Sequence, residues 1–198
     1  MHAEALAHLA RDPALRRVIE TTPLPDPNPS GDLYYDLLDS IVSQQLSTKV
    51  AAVIFNRFLG LFPGEYPHPK QLLALDVPTL RGVGLSNQKA AYLQNVAFFF
   101  ENENLEGKDW SGLSDDEIVK YLSQIKGVGR WTVEMILMFT LQRPDVFPAD
   151  DLGIQQALMR LYGLQRDRHL KARMTELAEP WRPYRTTACR LLWRWKDG

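Results

Sequence analysis

Three features of this 198-residue sequence predict an all-α fold: apolar residues recur at helical spacing, helix-start signals precede them, and breaker segments separate them. No segment shows a convincing strand pattern. We therefore expect roughly ten helices joined by short connections. The clearest apolar repeats are those of Leu33, Leu37, Leu38, Ile41 and Val42, of Leu93, Val96, Ala97 and Phe100, and of Ile118, Leu122 and Ile125.

Helix starts and breaks fix the order of these elements. Ser47 and Ser86 each precede an apolar run, where a serine side chain accepts hydrogen bonds from the first free amides of a helix. Ser114 and Glu117 have the spacing of a capping box, in which each side chain bonds the other residue's backbone amide. Between residues 23 and 31, four prolines predict an extended linker.

Length and composition exclude several classes of protein. A chain of 198 residues can bury a continuous core unaided, and its single cysteine, Cys189, has no partner for an intramolecular disulfide. No Cys/His pair has the spacing of a zinc site. No apolar stretch is long enough for a membrane span, and the first twenty residues lack a signal peptide's apolar block, so we expect a cytoplasmic protein.

Charge is distributed unevenly along the chain, although the net charge is only -1. Residues 165–196 hold nine basic side chains against three acidic ones, whereas residues 101–120 hold seven acidic side chains against two basic ones. This asymmetry predicts a cationic face that can meet phosphates. The alternative is an ordinary solvated, charged helix.

A Gly-x-Gly turn joins two of the predicted helices. It follows the capped helix that ends near Ile125 and precedes an apolar helix predicted over residues 131–141. This order is typical of a helix-hairpin-helix, in which glycines permit unusual backbone angles and leave helix N-terminal amides open to a phosphate. We expect contacts with the DNA backbone from Lys126, Gly127, Val128, Gly129, Arg130 and Thr132.

Two adjacent carboxylates, Asp150 and Asp151, stand where a loop after the apolar helix meets the next helix. Aspartate is a preferred N-cap, so one of the two is expected to cap that helix. A pair placed directly after Val-Phe-Pro-Ala also suits a catalytic carboxylate. The residues alone leave both interpretations open.

Five ordered motifs resemble the helix-hairpin-helix DNA glycosylases, and within them the 3-methyladenine DNA glycosylase II (AlkA-like) branch. The resemblance covers about residues 32–198. Its motifs are Ile-Val-Ser-Gln-Gln-Leu-Ser at 41–47, Gly-Leu-Ser-Asn-Gln-Lys-Ala at 84–90, Ile-Lys-Gly-Val-Gly-Arg-Trp-Thr at 125–132, Phe-Pro-Ala-Asp-Asp-Leu at 147–152 and Trp-Arg-Pro-Tyr-Arg at 181–185.

The resemblance implies one helix-hairpin-helix glycosylase unit over residues 1–198, built as two lobes with the active site in the interlobe cleft. The central lobe would span about 32–145, and the second lobe would combine 1–31 with 146–198. The segment before residue 32 is too short for the extra N-terminal β-rich domain of some relatives.

The same resemblance implies a monofunctional glycosylase of base excision repair. It would hydrolyse the N-glycosidic bond of alkylated purines, such as 3-methyladenine and 7-methylguanine, flipped out of duplex DNA. Asp151 carries over as the catalytic residue and Asp150 as structural. Trp131 stands where relatives that also cut the strand have a Schiff-base lysine, and the four cysteines of iron-sulfur relatives are missing, so no lyase activity is expected.

The remaining site residues also follow from the resemblance. Trp131 and Trp193 are expected to stack on the flipped base, and the Gln44-Gln45-Leu46 segment is expected to fill the space that the base leaves, with Gln45 or Leu46 as the plug. No cofactor is expected to be required. The backbone carbonyls of Ser123, Ile125 and Val128 resemble those that hold a Na⁺ or K⁺ ion in relatives.

The expected partner is double-stranded DNA containing alkylated bases, bound by a nucleoid-associated monomer with no membrane contact. One alternative is a non-catalytic helix-hairpin-helix protein that only binds DNA, which would not need a carboxylate at Asp151. Another is a glycosylase for deaminated or mismatched bases.

Overall fold

The computed structural model describes residues 2–24, 29–105 and 107–198, and over these ranges the backbone is helical with no strand. The all-α prediction is confirmed. The helices are α1 (His2–Leu9), α2 (Pro13–Thr21), α3 (Leu33–Ser43), α4 (Thr48–Leu59), α5 (Pro69–Leu73), α6 (Val77–Gly82), α7 (Asn87–Glu103), α8 (Asp115–Leu122), α9 (Arg130–Met135), α10 (Leu152–Tyr162), α11 (Leu170–Ala178) and α12 (Arg185–Asp197), with short 3-10 turns at Pro63–Glu65 and Glu179–Trp181.

The chain divides into two compact units. The first, here called the central unit, is Ser30–Ile136, and the second, the terminal unit, combines Met1–Pro29 with Leu137–Gly198. The second junction therefore lies before residue 137 and not near residue 145 as expected from the sequence. The predicted linker at 23–31 is non-helical at residues 23–24 and 29–31, and its residues 25–28 lie outside the described part of the chain.

Hydrogen bonds within the terminal unit explain the position of this junction. The Thr186 hydroxyl donates to the carbonyl of Arg143 at 2.6 Å, and the Thr186 amide donates to the carbonyl of Pro144 at 3.0 Å. The amide of Val146 in turn donates to the Thr186 hydroxyl at 3.0 Å. Residues 143–146 are thus bonded to the start of α12, so they belong with the terminal unit.

The central unit is built around α3 and α7. α3 contacts α4, α7 and α9, while α7 also contacts α5 and α6. The predicted start signals are confirmed: Ser47 and Ser86 accept helix amides, and Ser114 with Glu117 forms a capping box. The apolar faces predicted from the sequence are buried between these helices, where removal of apolar area from water stabilises the fold.

The terminal unit joins both parts of its chain through α12, which contacts α1, α2 and α10. Asp12 caps α2 through Oδ1, while its Oδ2 accepts the Tyr162 hydroxyl at 2.7 Å and the indole N–H of buried Trp181 at 3.2 Å. Burial, together with the hydrogen bond to Asp12, raises the pKa of Tyr162 far above its ordinary value. A single carboxylate therefore ties α2 to the later half of the unit.

The apolar helix predicted over 131–141 is not a uniform α-helix. After α9 the chain continues as a π-helical segment, Ile136–Thr140, which is buried except for Phe139. Phe139 is 45% exposed and lies 5.8 Å from the ring of Trp193. The wider π turn changes the direction in which successive side chains leave the helix, which fits one exposed ring within a buried segment.

Across the described helices, none has the length and apolarity needed to cross a bilayer.

Candidate functional site

The carboxylate of Asp151 is fixed by two hydrogen bonds. Asp151 is the N-cap of α10, and its Oδ1 accepts the amide of Ile154 at 2.8 Å. The same oxygen accepts the indole N–H of Trp193 at 2.7 Å. The capping role considered for the Asp pair thus belongs to Asp151, and the cap and the indole together set the orientation of its carboxylate.

Gly153 makes room for this arrangement. A Cβ at this position would lie 2.8 Å from Cδ1 and 2.9 Å from Nε1 of Trp193, and 3.0 Å from Oδ1 of Asp151. Nonbonded carbon atoms are ordinarily separated by about 3.5–4.0 Å. The Trp193 indole therefore reaches Asp151 only because residue 153 has no side chain. Gly153 was not predicted as a site residue, because its only signal in the sequence is its place two residues after Asp151.

Asp150 points to a different partner. Its Oδ1 accepts a hydrogen bond from the Lys171 ammonium, and both side chains are exposed. An exposed ion pair of this kind contributes little to stability. The two aspartates are therefore distinguished by environment: Asp151 is held by a helix cap and an indole, whereas Asp150 pairs with a surface lysine.

Trp193 makes contacts that the predicted stacking role does not include. Besides donating to Asp151, its ring is tilted by 31° against Phe139 and lines a cavity of about 600 Å³. The guanidinium-bearing side chains of Arg190 and Arg194, one helical turn apart on α12, line the same cavity. An aromatic wall, two arginines and the carboxylate of Asp197 thus line one cavity within the terminal unit, and Asp151 adjoins it through its bond to Trp193.

The hairpin at 126–129 depends on one glycine for its shape and not on both. Gly127 has φ +107°, and a Cβ there would lie 2.3 Å from Cγ of Tyr92, so no other residue fits. Gly129 has φ −94° and ψ 170°, and a Cβ there would meet nothing within 4 Å. The expectation that both glycines need special angles is therefore wrong for Gly129. Its bare surface leaves open space in front of the first amides of α9.

The side chains predicted to contact DNA at the hairpin divide into two groups. Lys126 and Arg130 are exposed, and Arg130 donates to the buried carboxylate of Glu134 at 2.9 Å. Val128 and Thr132 are buried, so their side chains do not contribute to the surface beside the hairpin. The amide of Val128 closes the turn by donating to the carbonyl of Ile125 at 2.9 Å.

Trp131 lies in the first turn of α9, within the central unit, with 37% of its surface exposed. It is thus the large aromatic residue nearest in sequence to the hairpin that solvent can reach. Trp193 lies in the terminal unit. The structure thus places the two predicted pocket tryptophans in different units of the chain.

The segment after α3 turns sharply outward. Gln45 has φ +60°, which is uncommon for a residue with a side chain, and both Gln45 and Leu46 are exposed. Gln44 points the other way: its amide nitrogen lies 3.5 Å from the carbonyl of Gly127 and 3.5 Å from the hydroxyl of Thr132. The loop thus presents Gln45 and Leu46 to solvent, while Gln44 contacts the hairpin.

Lys89 supports this loop from α7, although the sequence predicted no role for it. Its ammonium donates to the carbonyls of Val42 at 2.7 Å and Gln44 at 2.8 Å. Burial lowers the pKa of Lys89. Lysine near a helix C terminus satisfies carbonyls that have no amide partner and interacts favourably with the helix dipole.

The proposed cation ligands are the backbone carbonyls of Ser123, Ile125 and Val128. Neutral carbonyl oxygens suit a hard monovalent cation, and the carbonyl of Ile125 already accepts the amide of Val128 while keeping a second lone pair. The donor chemistry therefore fits Na⁺ or K⁺. Among the described residues, no group of three or more acidic, histidine or cysteine side chains is arranged to hold a metal ion.

The basic segment 165–196 is less cationic in three dimensions than in sequence. Acidic side chains from outside the segment, including Asp145 and Asp150, pair with several of its basic residues. The expected cationic face is therefore partly neutralised. The ion pairs are Lys171 with Asp150, Arg173 with Asp167, Arg182 and Arg185 with Asp145 and Glu179, and Lys196 with Asp197.

Comparison with known proteins identifies the class to which this fold and site belong. A family model described as HhH-GPD superfamily base excision DNA repair protein matches residues 38–183. The chain belongs to this family. The resemblance to helix-hairpin-helix glycosylases is therefore confirmed, and with it the expected class of enzyme, a DNA glycosylase.

Several relatives within this family are named 3-methyladenine DNA glycosylases. The DNA-3-methyladenine glycosylase 1 of Schizosaccharomyces pombe is 37% identical over 163 residues, which are 81% of this chain and 71% of the relative. The solved structure of the S. pombe 3-methyladenine DNA glycosylase Mag1 with abasic DNA matches with a TM-score of 0.82 at 33% identity, covering 96% of this chain and 95% of that chain. The crystal structure of a DNA-3-methyladenine glycosidase from Bacillus halodurans matches with a TM-score of 0.80 at 34% identity, and the match covers 96% of this chain and 87% of that chain.

Proposed function

We propose that this protein is a monofunctional DNA glycosylase that hydrolyses the N-glycosidic bond of alkylated purines, such as 3-methyladenine and 7-methylguanine, after the nucleotide is flipped out of duplex DNA. The observation that carries the proposal is the carboxylate of Asp151, held in one orientation by the α10 cap and by Trp193. The 3-methyladenine glycosylases among its relatives support the choice of substrate.

Asp151 is the catalytic residue of this mechanism. As the base departs, the sugar acquires oxocarbenium character, and a carboxylate near C1′ stabilises that charge and orients the attacking water. A group already fixed before the reaction loses little free energy to reorganisation at the transition state. Asp150 takes no part, because its carboxylate is engaged by Lys171 at the surface.

An alkylated purine needs little help to leave. Methylation at N3 or N7 makes the base cationic and thus a good leaving group, so no strong general acid is required. What the protein supplies is an electron-rich surface. Stacking of a cationic base on an indole contributes on the order of 0.5–2 kcal/mol, and the exposed ring of Trp131 is available for it. The ring of Trp193, on the wall of the cavity, is the second candidate.

The hairpin grips the DNA backbone without reading sequence. The amides that begin α9 carry the positive end of a helix dipole, and Lys126 and Arg130 add charge beside them. The open surface at Gly129 lets a phosphate approach these amides. A Na⁺ or K⁺ ion held by the carbonyls of Ser123, Ile125 and Val128 would bridge protein and phosphate and would not enter the chemistry.

Gln45 or Leu46 fills the gap that the flipped base leaves. Both side chains are exposed on the outward turn after α3, and Leu46 presents an apolar surface that stacks between bases. Gln44 is assigned a supporting role, because its amide faces the hairpin. We expect the active form to be a monomer, because the loop with Gln45 and Leu46 and the carboxylate of Asp151 are both present in one copy of the chain.

Strand cleavage is not part of the proposed reaction. A β-lyase step requires an amine that attacks the sugar carbon and forms a Schiff base. At the position beside the hairpin where such relatives have lysine, this chain has Trp131. The product is therefore an intact strand with an abasic site.

The test is base release from methylated duplex DNA by the wild-type protein, by Asp151→Asn and by the matched control Asp150→Asn. We expect Asp151→Asn to bind duplex DNA but to release base at least about 100-fold more slowly. Asp150→Asn should stay within about twofold of wild type, because an exposed ion pair contributes little. Equal loss in both variants, or full activity of Asp151→Asn, would contradict the assignment.

A second candidate function follows from the arginines of the cavity. A guanidinium beside the base disfavours a cationic methylpurine and suits the carbonyl and ring-nitrogen acceptors of a neutral, deaminated purine. Arg190 and Arg194 line the cavity beside Trp193, and the single acidic side chain among the described lining residues, that of Asp197, offsets only one of the two positive charges. The same assay with a hypoxanthine-containing duplex decides between the two, and release of neither base by a protein that binds DNA supports the non-catalytic alternative.

A further inference from the structure

One face of α7 contacts both segments that are proposed to touch DNA. Lys89, Tyr92 and Asn95 are spaced three residues apart, so they lie on one side of the helix. We call these three residues the bracing face. All its contacts described below lie within the central unit.

The first contact is with the loop after α3. The Lys89 ammonium donates to the carbonyls of Val42 and Gln44, which have no later helix amide to bond because α3 ends at Ser43. Two charge-assisted hydrogen bonds thus hold the base of the loop that carries Gln45. Loss of the ammonium would leave both carbonyls without this donor.

The second contact is with the hairpin. The ring of Tyr92 fills the space in front of Gly127, and the side-chain amide of Asn95 donates to the carbonyl of Lys126 at 3.0 Å. Gln44, at the start of the loop, contacts the hairpin directly through Gly127 and Thr132. The loop and the hairpin are therefore fixed to the same helix and to each other.

We propose that Lys89 is a positioning residue for base flipping: by holding the carbonyls of Val42 and Gln44, it keeps the Gln45-Leu46 plug in register with the hairpin. This inference rests on the proposed function, since it assumes that the plug enters the duplex. The Lys89 ammonium is engaged by main-chain carbonyls and contributes to plug insertion, while Lys126 contributes to phosphate binding. The two lysines therefore make separable contributions.

The experiment compares Lys89→Met, Lys89→Arg and Lys126→Met in the full chain. Plug insertion is read from the fluorescence of 2-aminopurine placed opposite a stable abasic-site analogue, which requires no catalysis. Base release is read as the single-turnover rate at saturating protein, and affinity as the Kd for undamaged duplex. Thermal melting checks that each variant is folded.

Lys89→Met should lower both the 2-aminopurine signal change and the saturating rate by about tenfold or more, the factor that one charged hydrogen bond is worth, with Kd within about twofold of wild type. Lys89→Arg should restore most of both. Lys126→Met should instead weaken the Kd and give it a shallower salt dependence, because it removes a phosphate contact.

Three results overturn the proposal. One is a Lys89→Met protein with unchanged fluorescence and rate. Another is a Lys89→Met protein whose Kd weakens as it does in Lys126→Met, since that identifies Lys89 as a phosphate contact. If Lys89→Met melts early, Lys89→Arg decides, and a folded arginine variant without plug insertion refutes the positioning role. Failure of wild type to release any base, with normal plug insertion, refutes the proposed function alone.

Discussion

Gly153→Ala tests how much the reaction depends on the position of the Trp193 indole. The added Cβ would lie 2.8 Å from Cδ1 of Trp193, whereas such atoms ordinarily stay about 3.5–4.0 Å apart. The indole must therefore move by roughly 0.7–1.2 Å. A movement of that size stretches the 2.7 Å hydrogen bond to Asp151 toward or beyond about 3.5 Å, where it is no longer a hydrogen bond.

The expected loss of rate follows from that bond. A hydrogen bond to a charged group contributes about 1.5–3 kcal/mol, which corresponds to a fall of roughly 10- to 150-fold if it acts in the transition state. The assay is single-turnover base release at saturating protein, with affinity for abasic duplex as a readout that should not change. Gly112→Ala is the matched control, because a Cβ at Gly112 meets nothing within 4 Å.

Trp193→Phe reaches the same end without added bulk, because it removes the indole N–H. If both substitutions act by breaking the Asp151 bond, the double variant should be no slower than the slower single variant, since the effects of residues that share one interaction are not additive. A fully active, normally folded Gly153→Ala protein would refute the steric argument. Additive losses would refute the shared cause.

Three further outcomes are expected. Gly127→Ala should destabilise the fold by about 1–3 kcal/mol or more in chemical denaturation, because of the positive φ of Gly127 and the collision with Tyr92. Gly129→Ala should leave stability nearly unchanged and weaken binding to duplex DNA. Equal stability of the two variants would contradict this expectation. Burial and, after it, the charge of Asp36 raise the pKa of Asp39, so the ionised form of Asp39 is unfavourable in the folded state. Asp39→Asn should therefore be more stable than wild type at pH 7, and this difference should vanish below pH 3.8, the pKa of an aspartate in the unfolded chain. A difference that persists below that pH would count against this cause. Denaturing gels should show intact abasic strands after base release by wild type, and borohydride should trap no covalent complex.

Much of the helical framework was predictable because it depends on local chemistry. The box formed by Ser114 and Glu117 involves residues three apart, and the turn at Gly127 is visible as a glycine between two helical repeats. The order of the helices and the presence of two adjacent aspartates could likewise be read directly from the sequence. These features needed no knowledge of which distant segments meet.

The features that could not be predicted depend on distant contacts or on small differences in helix period. Lys89 bonds carbonyls more than forty residues earlier in the chain, and Gly153 matters only because Trp193 folds back onto it. The π-helical segment 136–140 has the same apolar composition as an α-helix and thus gives no periodic signal. The pairing of Lys171 with Asp150, which lies outside the basic segment 165–196, likewise reduces the positive charge excess counted along that segment.

The insertion of the central unit between two parts of the terminal unit has a consequence for biosynthesis. The central unit is complete once Ile136 has left the ribosome, whereas Trp181, which bonds Asp12 at the start of α2, follows on the order of ten seconds or less after Ile136 at ordinary rates of translation. During that interval α2, whose buried residues are Leu15 and Val18, has α1 beside it but lacks α12, its other packing partner. The growing chain therefore holds a complete central unit while α2 still waits for α12, the later of its two packing partners.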